Sequence, residues 1–359
     1  MKNIYICKII SEQQFKTIEK PMVLRFENNK LLMIACFVMA MGVSNAQDVH
    51  FSQFFFSGLS LNPANTGNFD GEWRLVNNNR RQWGAISPYS TFAVGFDRQA
   101  YARKNHFSWG AVLLSDLTNQ SSLFVNKFFL SGAYHKNISK QVISLGLQAG
   151  VVNKHLDMGK LAFPDQYDEV SGTFTHEMAT FEPGFRANSM YFDANAGLMW
   201  AMDAGILQPR LGVAAFHVNM PKESFYSSNN TLPPRLVFHG GTKVKVSPKF
   251  YFTPDALYMS HNTAVEMIMG SSFTYVLSDN YLENSVFTGF YTRNEFKNFD
   301  ALVIMIGGNY QHWTAALSYD LNMSELKSSA KNVGGFELSL IYREISTQIQ
   351  KFFIPCERY

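Results

Sequence analysis

The densest run of chemically able side chains is Asp165, Asp168, His176 and Glu177. Carboxylate and imidazole so close together could relay a proton or hold a cation, carboxylate suiting hard ions and imidazole suiting zinc. Their surroundings argue for less. Asp157, Glu169, Glu182, Pro164 and Pro183 share the segment Leu156 to Asn188, which is the composition of a solvated acidic loop. A second group, His239, Lys243 and Lys245, stands at even spacings, so a strand would carry all three on one face. Facing Asp97, Asp320 or Glu337 across an enclosed interior, they would form a charge network that stiffens the interior or tunes a pore. There is no Gly-x-Ser-x-Gly elbow, no His-Glu-x-x-His pair and no phosphate-cradling glycine loop. No catalytic, metal-binding or cofactor residue is assigned, and the expectation is a protein that is not an enzyme.

The elements that would carry these side chains begin after a leader. Arg25 and Lys30 form a basic start, Leu31 to Val43 an apolar stretch too short to anchor in a bilayer, and Ser44-Asn45-Ala46 a cleavage site of small residues. Residues 1–46 therefore read as a signal peptide, with Met22 the expected start of translation. Cys7 and Cys36 leave with it, so Cys356 has no partner for an internal disulfide. The leader also holds six basic and three acidic residues, which accounts for the whole net charge of +3. What remains is electrically balanced and carries no footprint for nucleic acid.

Aromatic residues make up 15% of the chain and charged residues only 16%, against roughly 25% in ordinary soluble domains. Yet the mean hydropathy is −0.11, and no later stretch offers eighteen uninterrupted apolar residues. Membrane helices are excluded on that ground. Alternation decides what is left. Ile143, Leu145, Leu147, Ala149 and Val151 alternate with Ser, Gly and Gln. Phe192 to Trp200, Trp313 to Asn322 and Phe336 to Tyr342 behave alike. Strands of about ten residues with aromatics near their ends are what a transmembrane β-barrel uses. Small polar partners suit a crowded or watery lumen better than a solvent-facing sheet. Segments between turn signals number fourteen: 72–82, 89–99, 106–116, 122–136, 141–155, 189–202, 207–219, 234–246, 249–260, 264–277, 285–294, 300–310, 312–322 and 334–343. An even number closes a single-chain antiparallel barrel. The seventh segment slips in phase at Phe216, the mark of a bulge. Trp109, Tyr134, Tyr191, Trp200, Tyr251, Tyr319 and Tyr342 are expected to form interfacial girdles. Long polar loops at 156–188 and 220–234 should be extracellular, opposite tight turns such as Ser247-Pro248, if Gln47 begins in the periplasm.

Ahead of the first strand stands His50-Phe51-Ser52-Gln53, then Leu61-Asn62-Pro63-Ala64, then Gly67, with Arg81-Gln82-Trp83 closing the strand itself. Asn-Pro opens a turn, and Gly67 is free to take a positive φ. In this order the motifs resemble the start of the PorP/SprF family, outer-membrane proteins of the type IX secretion and gliding machinery of Bacteroidota. Ser318-Tyr319-Asp320-Leu321-Asn322 and Gly334-Gly335-Phe336-Glu337 are similar to the family's last two strands, and Pro355-Cys356-Glu357-Arg358-Tyr359 to its terminus.

Alternation and segment count point to an all-β antiparallel barrel of about fourteen strands. The resemblance implies that such a barrel sits in the cell outer membrane and acts with type IX secretion components. Its partition would be a plug segment at 47–71, the barrel at 72–343 and a periplasmic tail at 344–359. Implied partners are membrane lipid and either periplasmic type IX secretion proteins or a secreted adhesin anchored through its C-terminal sorting domain, or both. The competing reading is a porin or hydrophobic-solute channel.

Overall fold

The structure is a computed structural model. It describes residues 50–345 apart from 83–88, 103–104, 119–122, 162, 169–170, 175–184, 227–229, 279–283, 296–297 and 324–333. The expected leader, His176, Glu177, Trp83, Pro355, Cys356 and the rest of the expected tail lie outside the described residues.

Alternating residues build five long strands first: β1 Trp73–Gln82, β2 Tyr89–Ala102, β3 Asn105–Thr118, β4 Leu123–Ile138 and β5 Gln141–Leu156. A two-rung hairpin follows, β6 Tyr167–Asp168 with β7 Thr173–Phe174. Nine more strands complete the wall: β8 Asn188–Met202, β9 Leu207–Phe216, β10 Arg235–Ser247, β11 Phe250–His261, β12 Ala264–Ser278, β13 Asn284–Glu295, β14 Asn298–Tyr310, β15 Trp313–Asn322 and β16 Gly335–Glu344. Without β6 and β7 these close into a fourteen-stranded antiparallel barrel in which β1 pairs with β16. Closure lets backbone groups bond along the wall, the condition for strands in lipid.

The apolar members of each alternation point outward. Leu145, Leu147, Phe192, Leu198 and Leu317 are exposed, while Ser144, Gln148, Asp193 and Asn195 between them are buried. A wall apolar outside and polar within is made for lipid. Aromatic rings collect at the end where β1 begins. Trp73 lies 5.1 Å from Tyr342 and 6.0 Å from Phe96, which in turn is 5.5 Å from Trp109. Two residues expected in the girdles face inward instead. Tyr191 is buried, its hydroxyl donating to Glu223, and Tyr251 lies under the Lys243 ammonium at 4.3 Å.

Phe216 is no bulge. It is the last residue of β9 and is buried, and His217 follows at φ 57°. The change of phase is a strand end, because the chain turns into the lumen there. Register shifts occur elsewhere, at Lys245/Ser247, Val276/Ser278 and Arg293/Asn294.

Candidate functional site

The lumen is occupied by the chain's own N-terminal segment. Phe54–Phe56 forms one 3-10 turn, Gly58–Leu61 one turn of α-helix and Pro63–Asn65 a second 3-10 turn. Its apolar side chains supply the core that a barrel of this size lacks. Phe54 and Leu61 pack with Val237, Leu257, Ile268, Tyr291 and Met305, while Leu59 packs with Val112, Val125, Phe129 and Val152. Burial of each such side chain is worth roughly 1.5–3 kcal/mol.

The segment is held at three heights. At the long-loop end, Glu337 accepts the backbone N–H groups of Ser52 and Gln53 at 2.9 and 3.0 Å. Ser52 donates its hydroxyl to Asp320 at 2.8 Å, and Gln53 donates its side-chain amide to Ser318 at 2.9 Å. Arg80 spans both carboxylates, 2.8 Å from Glu337 and 2.9 Å from Asp320. Arg293 reaches Asp320 at 2.7 Å and Asp300 at 2.6 Å, and His50 lies 2.9 Å from Glu266. Arg80, Asp320 and Glu337 are all at most 4% exposed. Charges so buried persist only when paired, so arginines and carboxylates here depend on one another.

Midway, Asn62 caps the second 3-10 turn by accepting from Ala64 N–H at 2.9 Å. The two hydrogens of its amide are shared among the carbonyls of Leu198 and Val213 and Nε2 of His239, which lies 3.0 Å away. The wall makes room with glycine. Gly146 and Gly197 face each other in register, and a Cβ on Gly146 would lie 2.2 Å from the Pro63 carbonyl carbon.

At the short-turn end, Gly67 takes φ 69° and donates its N–H to Asp97 at 2.8 Å. Arg74 grips the same carboxylate with two bonds, at 3.0 and 2.8 Å. Thr66 donates to Ser131 at 3.0 Å, and His135 meets the Thr66 carbonyl at 2.9 Å. Replacing Thr66 with valine keeps the shape and deletes the hydroxyl. The folded barrel in detergent should lose about 1 kcal/mol, read as a lower denaturant midpoint with unchanged slope.

The motifs read at opposite ends of the sequence thus meet in one place. His50, Ser52 and Gln53 reach the wall at Glu266, Asp320, Ser318 and Glu337, Phe51 packs on Ala93 and Leu114, and Asn62, Pro63, Ala64 and Gly67 thread the lumen below. Arg81, Gln82 and Phe336 stand outside this cluster, with Arg81 paired in register to an outward Phe336 and Gln82 to Gly335. Arg80, Arg293 and Glu266 went unread in the sequence, although Arg80 continues the inward rhythm of Val76 and Asn78. The expected network of His239, Lys243 and Lys245 with Asp97, Asp320 or Glu337 does not form. Arg74, Arg80 and Arg293 take those carboxylates, and His239 serves Asn62. Asp168 accepts from the Ser171 hydroxyl at 2.7 Å inside its own turn, and no metal cluster occurs among the described residues.

Gln47 itself lies outside the described residues, and the described start of the segment is at the long-loop end. His50 sits by Glu266, beside the Asn262–Thr263 turn, whereas β1 rises from the opposite rim. The segment therefore descends the lumen from the long-loop end before β1 climbs back. Beneath Phe54–Phe56 a cavity of about 480 Å³ remains, bordered by Phe69, Lys140, Met199, Arg210 and Lys243.

Residues 43–342 match the model of the family described as type IX secretion system membrane protein PorP/SprF. The chain belongs to the PorP/SprF family. This PorP/SprF barrel is accordingly an outer-membrane protein that works with components of type IX secretion. No curated protein matches the chain. Among solved structures, the P. putida toluene transporter TodX is similar at 10% identity over 78% of this chain and 92% of its own, with a TM-score of 0.46. The CymD monoaromatic hydrocarbon channel is similar at 11% identity over 85% and 96%, also with a TM-score of 0.46. A Pseudomonas aeruginosa FadL homologue reaches 0.40 at 9% identity, over 78% and 92%.

Proposed function

We propose that the barrel is a non-enzymatic docking protein, presenting its ends to a secreted adhesin with a C-terminal sorting domain or to periplasmic secretion proteins. The observation that carries this reading is the buried network around Ser52 and Gln53, which binds the segment to β1, β13, β15 and β16, so that on this reading the rims are the working surfaces. In a deletion strain the dependent surface protein should disappear from the cell exterior, as read by surface labelling. A strain that still displays every C-terminally sorted protein overturns the proposal.

A solute channel is the second reading, favoured by the cavity under Phe54–Phe56. Passage upward from it would require the segment to leave. In planar bilayers the purified barrel should be silent without a partner, and steady conductance would support the channel.

A further inference from the structure

The wall is incomplete between β8 and β9. β8 pairs with β5 from Asn188 to Met202, but with β9 only from Ala196↔Ala215 to Ala201↔Arg210. After Phe216 the chain leaves the wall, with His217 buried 2.9 Å from Asp193. β8 thus stands above its neighbour from Asn188 to Asn195.

The alternation of an antiparallel strand tells which groups this leaves open. Leu156 N–H donates to the Ala187 carbonyl, so odd-numbered residues of β8 bond to β5 and even-numbered ones face the vacant side. Ala194 is served there, its carbonyl accepting from Val218 N–H at 2.9 Å and its N–H donating to Asn219 at 3.0 Å. The Asn219 amide also donates to the Phe192 carbonyl at 2.8 Å, imitating one rung of the missing strand. The next contact above is Arg186 N–H with the Phe225 carbonyl. Between them, among the described residues, nothing meets the N–H of Phe192 or the N–H and carbonyl of Met190. Both side chains point outward, Met190 at 71% exposure and Phe192 at 57%. Level with Met190 the neighbouring strands turn Asn153, Asn126 and Ser115 outward, whereas level with Phe192 they turn out Val151 and Phe128. The edge therefore straddles the top of the apolar band.

We infer that the upper edge of β8, Asn188 to Phe192, is a strand-addition site for an extended, alternately apolar segment of a secreted protein. Barrels abolish strand edges by closing, so an edge left open on a closed barrel is a template for backbone pairing. Outer-membrane barrels carry their longer loops on the outside of the cell, so a position on the long-loop side is reachable from there, and Met190 and Phe192 supply apolar contact beside the rungs. The inference rests on the docking reading above and gives it a place and a bonding mode.

A photo-crosslinking residue is placed at Met190 in the producing bacterium, and at Phe128 as a control on a strand paired along both sides. The expected result is an adduct at 190, absent at 128, whose partner mass spectrometry identifies as an exported protein. No adduct, an adduct with lipid or a second copy alone, or equal labelling at 128 overturns the inference. Met190→Pro removes the edge N–H at a position where proline is tolerated, and Met190→Ala keeps it. Surface retention of the partner should fall roughly tenfold with proline and stay unchanged with alanine. A folded proline variant that retains its partner overturns strand addition. If the proline variant does not fold, the crosslink at 190 decides. Loss of the surface protein on deletion but not in Met190→Pro sinks strand addition alone, while no loss on deletion sinks the docking reading beneath it.

Discussion

Arg80→Ala is expected to free the N-terminal segment at its long-loop end while the wall stays closed. Arg80 is 4% exposed and is shared by Ser52, Asp320 and Glu337. Without it Asp320 keeps Arg293, but Glu337, 1% exposed, keeps only neutral donors. Stranding a buried carboxylate in this way costs about 3–5 kcal/mol. Undocking the segment hydrates Glu337 and relieves that cost, whereas opening the β1–β16 ladder would break many backbone bonds. Protease cleavage near Phe54–Phe56 and a new conductance in bilayers are the readouts. Arg80→Lys should fall between, because an ammonium lacks the fork that reaches two carboxylates at once. Protection and silence equal to wild type would show that the ion network does not hold the segment.

The second large effect comes from adding one carbon. In Gly146→Ala the new Cβ meets Pro63 and Ala64 backbone atoms at 2.2 and 2.3 Å, and backbone cannot rotate away. Overpacking of this kind costs typically about 1–3 kcal/mol, and more where neighbours are fixed. Gly132→Ala is the matched control, since its Cβ would find the Ser108 carbonyl at 3.9 Å and nothing nearer. The first variant should lower the denaturant midpoint in detergent and expose the segment to protease. The second should do neither. Equal behaviour of the two would mean that the segment does not fill the lumen in the membrane.

The wall was legible because lipid on one side and a packed lumen on the other force a strict period of two. Leu145, Leu147 and Leu198 announced their strands, and the fourteen segments correspond to the fourteen strands of the closed barrel. The inside was less legible. Arg80 lies in Asn77-Asn78-Asn79-Arg80-Arg81, an all-polar run whose phase is carried only from Val76 before it. Its carboxylates are 240 and 257 residues away, a separation no local pattern encodes. His239 was placed on the correct face but with the wrong partners, since parity fixes direction and says nothing about what enters the lumen. Tyr191 and Tyr251 show the same limit from the other side. An aromatic near a strand end belongs to a girdle only if its parity points outward.

Arg80 and Glu337 are register partners on β1 and β16, the first and last strands of the wall. The clasp on the N-terminal segment thus lies across the seam where the cylinder shuts. A slip of one residue at that seam would turn a guanidinium into lipid and leave its acids behind. Misregistration would then be penalised twice, once in the ladder and once in the lumen. The same few side chains would proofread the final zippering of the polypeptide, making capture of the segment and completion of the ring a single event.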